Sequence, residues 1–448
     1  MKFIIEQSDE HLTPVAGLAL VGEIIDHTAL KFRLNKTRIP GVSSPDISHG
    51  DVITSYIGLL CQGRSDFDHI ELFRDDPFFA AALDIQDVPS SPTLRQRLDM
   101  IAHSVPYQEI ILEETARFLK KLKAPVTPVT LGSGEQKRQY VPLDIDVTPF
   151  DNSNSKKEGV SRTYKGYDGY APIFAYLGKE GYCVNTELRA GKQHCQKGTP
   201  DFLRRALTFA RAITSLPLLV RMDGGNDSQD NLQVCLDPEI KADFIIKRNL
   251  RKETPEAWLA VAKENGNATV EREGKTVYRG HQMVKIEGAD TPVRLVYKVT
   301  ERTILRSGQL LLVPEIEVET YWTTLPDPVE EVIALYHDHG TSEQFHSEIK
   351  NDLDLERLPS GKFATNNLVL HLGIFAYNIL RLLGQFSLPL KEVPLRNKKA
   401  QRRRLRTVIQ NLITIASRLV HHARQVKLRF GRHSPWYPAF RYLYKALA

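Results

Sequence analysis

Two aspartates and one glutamate stand where an oxygen-rich metal site can be built. Asp146 closes an apolar, β-branched run from Tyr140 to Val147. Asp223 follows a second short run, Leu216 to Met222, and precedes Gly224-Gly225. Glu343 lies well downstream in a helical pattern. In an open α/β sheet, side chains at strand ends leave the core together, and ligands gather there. Two strand-end carboxylates and one helical carboxylate supply the hard oxygen donors that Mg²⁺ prefers. A pair of such ions can hold the attacking and leaving oxygens of an in-line phosphoryl transfer. Each acid taken alone has a plainer reading, because strand-end aspartates commonly serve turns and caps. Asp144 competes with Asp146 from two residues away on the same strand face.

The segment around Glu343 is more specific. Tyr336, His339, Glu343 and Lys350 recur at i, i+3, i+7 and i+14, so one continuous helix would carry all four on one face. Gly340 is the residue that could interrupt it. A metal-binding glutamate beside a lysine suits a polyanion, with the ammonium on a phosphate next to the reacting one. His337, His339 and His346 invite a zinc reading. His337 and His346 fall on other helical faces than His339, which argues against a shared ion. Gly224-Gly225 lacks the G-K-[ST] ending of a phosphate loop, so no nucleotide cofactor is indicated.

These residues need elements to carry them. Tyr140–Val147, the pair Tyr170–Leu177 and Gly181–Leu188, a helix over Pro200–Thr214, then Leu216–Met222 and Asp243–Lys247 read as strand, hairpin, helix, strand, strand. That is an α/β layer arrangement. Residues 250–325 alternate polar and apolar positions and read as an antiparallel β-rich insertion. It contains Trp258 and Trp322, which could stack on a displaced base or simply pack. Asp327-Pro328-Val329-Glu330 reads as an N-cap, an N1 proline and a capping-box glutamate. Residues 1–123 read as helical, with candidates at Asp66–Leu83, Thr93–His103 and Pro106–Lys121. The middle one carries Arg95 and Arg97. Two successive short helices could read DNA as a helix-turn-helix or form a plain bundle. Residues 124–139 are rich in Pro, Thr and Gly and read as a linker.

Bulk properties set the frame. With 448 residues, two to four domains are expected. Hydrophobic residues at 42% and charged residues at 25% indicate a packed fold rather than global disorder. The net charge of +6 is unevenly spread. Lys391 to Arg432 holds thirteen Lys or Arg and one acid, Glu392, as expected of a surface that neutralises phosphates. Four cysteines without a C-x-x-C disfavour a zinc ribbon or disulfide framework and suit a reducing interior. The opening residues do not read as a signal peptide. Asn367–Phe386 is long and apolar but carries His371, Asn378 and Arg381, so it reads as a buried helix rather than a membrane span.

The motifs together resemble the DDE transposases of bacterial insertion sequences, in the group with a Tyr-x2-Arg-x3-Glu-x6-Lys signature. Here the signature is Tyr336-x2-His339-x3-Glu343-x6-Lys350. Asp146-Val147-Thr148 matches the family's Asp-x-Thr, which favours Asp146 over Asp144. Arg221-Met222-Asp223-Gly224-Gly225 matches the second aspartate's surroundings. Phe363-x2-Asn366 through Ala376-Tyr377-Asn378-x2-Arg381 is similar to the helix after the signature. The departure is His339 in the usual arginine place, a shorter and mostly neutral group at pH 7.

The resemblance implies an RNase H-like catalytic core over 140–249 and 326–390, interrupted by the insertion at 250–325. It is flanked by an all-α N-terminal domain (1–123) and a basic helical C-terminal region (391–448). It implies metal binding by Asp146, Asp223 and Glu343, with two Mg²⁺ or Mn²⁺ ions. It further implies cut-and-paste transposition in the bacterial cytoplasm, near the nucleoid, by a homodimer on paired terminal inverted repeats. Tyr336, His339 and Lys350 are expected to contact DNA phosphates. Lys398, Lys399, Arg402, Arg403, Arg404 and Arg406 are expected to supply non-specific grip, with Arg95 and Arg97 as further contacts. A DNA-binding regulator that no longer cuts and a structure-selective nuclease are the alternatives.

Overall fold

The computed structural model describes every residue except 1, 43–44, 105, 133–136, 288, 290, 392, 395–399 and 424. One mixed sheet carries most of the strands of residues 138–323, while Phe150–Asp151, Ser161–Arg162 and Asp168–Tyr170 form a small separate sheet. In chain order the large sheet holds β1 (Arg138–Val147), β2 (Ile173–Leu177), β3 (Tyr182–Glu187), β4 (Leu218–Met222), β5 (Asp243–Arg248), β6 (Asn267–Arg272), β7 (Lys275–Val284), β8 (Val293–Ile304) and β9 (Leu310–Thr323). The spatial order is β6-β7-β8-β9-β5-β4-β1-β2-β3, and Val129–Leu131 adds to β1. β1, β4 and β5 run parallel, whereas β2, β3 and the insertion strands pair antiparallel. This is the mixed α/β architecture expected. The insertion is no separate body, because β9 pairs with β5 and extends the same sheet.

The helices that bear on the site are α1 (Ser91–Ser104), α2 (Tyr107–Lys121), α3 (Thr199–Ile213), α4 (Val329–His337), α5 (Ser342–Ser347) and α6 (Phe363–Ser387). Strand alternation sorts the sheet's two faces. Val141, Leu143, Ile145 and Val220 meet Phe202, Leu203, Ala206 and Leu207 of α3 on one side. Leu219, Ile245 and Tyr321 meet Val332 and Leu335 of α4 on the other. Each such Leu, Ile or Phe taken out of water contributes roughly 1.5–3 kcal/mol.

Helix α6 is buried over nearly its whole length. It is the one described helix long and apolar enough to cross a membrane, and that span lies wholly inside the protein. Its polar residues are matched to the fold. Asn378 accepts from the Cys183 amide at 2.9 Å and donates to the Cys183 carbonyl at 2.7 Å. Asn367 accepts from the Leu188 amide at 3.0 Å. Two side-chain amides thus cover the free edge of β3, which would otherwise be an open pairing edge.

Three local expectations are corrected. Asp327 does not cap α4, whose N-cap is Pro328; its carboxylate is taken by Arg138 at 2.6 Å. The signature segment is not one continuous helix. A 3₁₀ turn (Asp338–Thr341) separates α4 from α5, and a π turn (Glu348–Asp352) ends it. The C-terminal region is not purely helical. Ser417–His422 and Gln425–Phe430 form a hairpin, to which Leu12–Thr13 adds a short strand. That same strand gives the helical N-terminal region a β element. Lys398 and Lys399 lie outside the described residues.

Candidate active site

The parallel pairing of β1 and β4 brings their C-terminal ends side by side. Asp144 faces Arg221 in the register, and Ile145 faces Met222. Asp146 and Asp223, each one step beyond, therefore leave the sheet at the same edge. Glu343 comes from the first turn of α5. All three line one polar cavity of about 610 Å³, together with His339, His346 and Lys350. Its rim also carries Tyr164 and Lys165.

Asp146 and Asp144 play different parts. Asp144 is buried and held by Arg221, with Nε at 2.5 Å and an Nη at 2.7 Å. Its charge is committed inside the fold. Asp146 reaches the cavity. Its oxygens accept from the Val147 amide (2.8 Å) and Ser342 Oγ (3.2 Å), and His346 Nε2 lies 3.1 Å away. Burial opposes its ionisation, but His346 and the other partners hold the carboxyl below the usual aspartate value. The other ring nitrogen of His346 meets Tyr176 Oη at 3.0 Å, which fixes the imidazole.

Asp223 accepts from Asn226 Nδ2 at 2.8 Å. Burial, then the negative charge of Asp146, push its carboxyl above the usual aspartate value. Among the described residues, neither Asp223 nor Glu343 has an ion pair. Gly225 allows the chain to turn against this carboxylate, since a Cβ there would stand 3.3 Å from both Asp223 oxygens. Two neighbouring carboxylates facing a polar cavity, Asp223 raised by burial and by the charge of Asp146, are a donor set that a divalent cation relieves. The residues fit such an ion. Among the described residues, no group of three His, Cys, Asp or Glu stands close enough to form a ready-made metal site; the three acids share the cavity's lining without forming a cage.

His339 lines the cavity and also meets a buried acid. It is buried, with Nδ1 3.2 Å from Asp144 Oδ1 but out of hydrogen-bond alignment. Burial works against its charge, yet Asp144 outweighs this and holds the imidazole above the ordinary histidine value. Arg221 also donates to the Leu335 carbonyl of α4 at 2.6 Å. A buried Arg221–Asp144–His339 cluster thus ties together β4, β1 and the turn before α5. The three cavity acids stand close by: Asp146 within β1, Asp223 directly after β4 and Glu343 in the first turn of α5. The three histidines serve separate partners, with His337 exposed near Glu319 at 3.7 Å.

Four of the other expected contacts, Arg97, Arg403, Trp258 and Trp322, are buried, and the rest have partners within the protein. Arg97 is interior and donates to the Ile47 carbonyl at 2.7 Å. Arg403 is buried and donates to Ser387 Oγ at 2.7 Å. Trp258 packs on Tyr297, and Trp322 donates to Asp227 at 3.1 Å, so both indoles belong to the core. Arg95 is exposed but paired with Asp68 at 3.0 Å. Tyr336 packs on Tyr321, with ring centroids 4.7 Å apart. Arg402 pairs with Glu348 (2.6 Å), while Arg404 (2.9 Å) and Arg406 (3.4 Å) share Asp352. Lys350 lines the cavity as expected and donates to the Pro149 carbonyl. Residues that sequence reasoning missed are His346, Ser342, Tyr164 and Lys165. The Asp144–Arg221 pair was visible in principle, since each stands two residues before a cavity aspartate on adjacent strands.

An α/β sheet with acids lining a polar cavity at its parallel strand ends is an arrangement that metal-assisted phosphoryl transfer can use. The family comparison makes this specific. A model described as "Transposase DDE domain group 1" matches residues 3–448, and the chain belongs to that family. It is therefore a DDE transposase, an enzyme that cuts and joins DNA with divalent metal ions. None of the curated proteins matches. Among solved structures, the chain is similar to a piggyBac transposase synaptic complex with hairpin DNA. The identity is 12%, the match covers 90% of this chain and 82% of the other, and the TM-score is 0.43. That likeness is too slight to add to the family assignment.

Proposed function

We propose that Asp146, Asp223 and Glu343 are the metal-binding acids of this transposase, holding two Mg²⁺ or Mn²⁺ ions at the scissile phosphate. The observation that carries this is the shared cavity: carboxylates from three distant stretches of chain line one space. The bound ions would activate the nucleophile and stabilise charge on the departing oxygen. The protein's own groups do the rest. His346 and Ser342 orient Asp146, Asn226 orients Asp223, and the Arg221–Asp144–His339 cluster sets the spacing of the three acids. Lys350 and Lys165 offer positive charge to phosphates beside the reacting one. Water and then a DNA 3′-hydroxyl serve as successive nucleophiles in cut-and-paste transposition. The protein works as a homodimer on paired terminal inverted repeats, in the bacterial cytoplasm at the nucleoid.

The test is a supercoiled plasmid bearing the element's terminal repeats, incubated with Mg²⁺ and either wild-type protein or Asp223→Ala. Wild type should cleave at the repeats and join the freed ends to target DNA. Asp223→Ala should bind the repeats but lose cleavage by at least about 10³-fold. Cleavage that persists in Asp223→Ala removes the assignment.

A further inference from the structure

The cavity of the three carboxylates is flanked by two others. On one side Val147, Tyr164 and Asp223 also line a second cavity of about 540 Å³, which Arg162, Lys192 and His194 enclose. On the other side Glu343 and Ser347 also line a third, of about 720 Å³, edged by Lys179, Arg402 and Arg404. The middle space shares wall residues with each of the other two, so the three are taken together as one trough. Its middle is acidic and its two ends are basic.

The charge at the ends is not cancelled within the fold. Among the described residues, Lys179 and Lys192 have no ion pair. Arg162 has only a long contact to exposed Asp168, at 3.9 Å. At the Glu343 end, Glu348 faces Arg381 and Arg402, while Asp352 faces Arg404 and Arg406. The lining of that end sets Lys179, Arg402 and Arg404 against Glu343 and Glu348, which leaves positive charge in place. A small anion needs one cationic pocket. A cation–acid–cation succession along a trough fits a chain of phosphates whose central member is met by metal-binding acids.

Resting on the transposase reading above, we propose that one DNA strand lies along this trough. Its phosphates on one side of the scissile bond are held at the Lys179–Arg402–Arg404 end, and those on the other side at the Lys192–Arg162 end. Tyr164, 70% exposed, stands at the junction and offers a ring face to a base beside the cut. The strand thus crosses from the hairpin turn of β2–β3, past Glu343 and Asp223, to the loop before α3.

The probe is a duplex carrying the element's own terminal repeat, with one neutral methylphosphonate at a time scanned across the cut. Binding is measured in Ca²⁺ for wild type, Lys179→Ala and Lys192→Ala; thermal melting checks that both variants fold. Wild type should lose affinity several-fold for substitutions on either side. Lys179→Ala should become insensitive on one side and Lys192→Ala on the opposite side. Each variant's slope of log K against log salt should fall by about 0.7 to 0.9. Insensitivity on the same side in both variants, or in neither, overturns the trough while leaving cleavage intact. A wild-type protein that neither binds nor cuts the repeat overturns the parent reading, and the strand path with it.

Discussion

At the scale of single residues, the site depends on which acids are left free. Asp144 and Asp146 differ by one strand repeat, yet Arg221 consumes the charge of the first and His346 merely steadies the second. A side chain that orients a ligating carboxylate contributes through geometry, and losing one commonly costs about 10- to 100-fold in metal affinity or rate. His346→Ala should therefore raise the Mg²⁺ concentration needed for half-maximal cleavage by that factor, with end binding unchanged in gel-shift assays. An unchanged metal titration would mean that His346 only packs. His339 yields a prediction in pH. Its folded value is raised above 6.5 through Asp144. Its stabilising effect is then fully present below pH 6.5 and lost as pH rises through that folded value. The melting-temperature gap between wild type and His339→Gln should be widest below pH 6.5 and narrow at higher pH. A gap that widens with pH would show that the Asp144 contact is not what holds the ring charged.

At the scale of elements, close packing places the helix that carries Glu343. Gly181, in the β2–β3 turn, has φ +73°, a left-handed conformation in which a side chain is strained. A Cβ there would sit 2.2 Å from the Phe345 ring, two residues beyond Glu343. Gly181→Ala should destabilise the protein by about 1–3 kcal/mol and displace α5. The readouts are chemical denaturation and cleavage rate, which should fall together. A stable variant with normal cleavage would mean that Phe345 can swing clear without moving Glu343. The basic C-terminal segment belongs to this scale as well. Arg402, Arg404 and Arg406 tie it to Glu348 and Asp352, just after α5. It thus straps the chain that follows α5 to the C-terminal region.

At the scale of the whole molecule, helices near both chain ends share one hydrophobic core. Residues from Val15 to Leu119 pack with residues from Phe345 to Leu447. Helix α6 sits between α1, α2 and the His49–Leu60 helix on one side and β3 on another. Removing residues 1–123 would bare a long apolar face of α6, and exposed apolar surface of that kind drives aggregation. The truncated chain should fail to give a cooperative thermal transition, while the full chain should melt its N- and C-terminal regions together in hydrogen exchange. A soluble, cooperatively melting 124–448 fragment would show that the N-terminal helices are a true appendage.

The apolar runs Tyr140–Val147 and Leu216–Met222, the helical pattern of Pro200–Thr214 and the acids at the strand ends were legible in the sequence. Local periodicity reports which face of an element is apolar, and strand ends are where polar chemistry emerges. The joining of the insertion to the main sheet was not legible, because pairing between β5 and β9 is a long-range contact that local pattern does not encode. Nor were the partners of the charged residues. An arginine reads the same on a DNA-facing surface and beside a buried carboxylate. Arg97, Arg403 and His339 were settled by what packs around them, and burial decides whether a charge is offered to a ligand or spent within the protein. The sequence by itself determined which residue types were available for metal and phosphate chemistry. Only the tertiary structure decided which of them remain free, since charge neutralisation depends on neighbours brought together from distant parts of the chain.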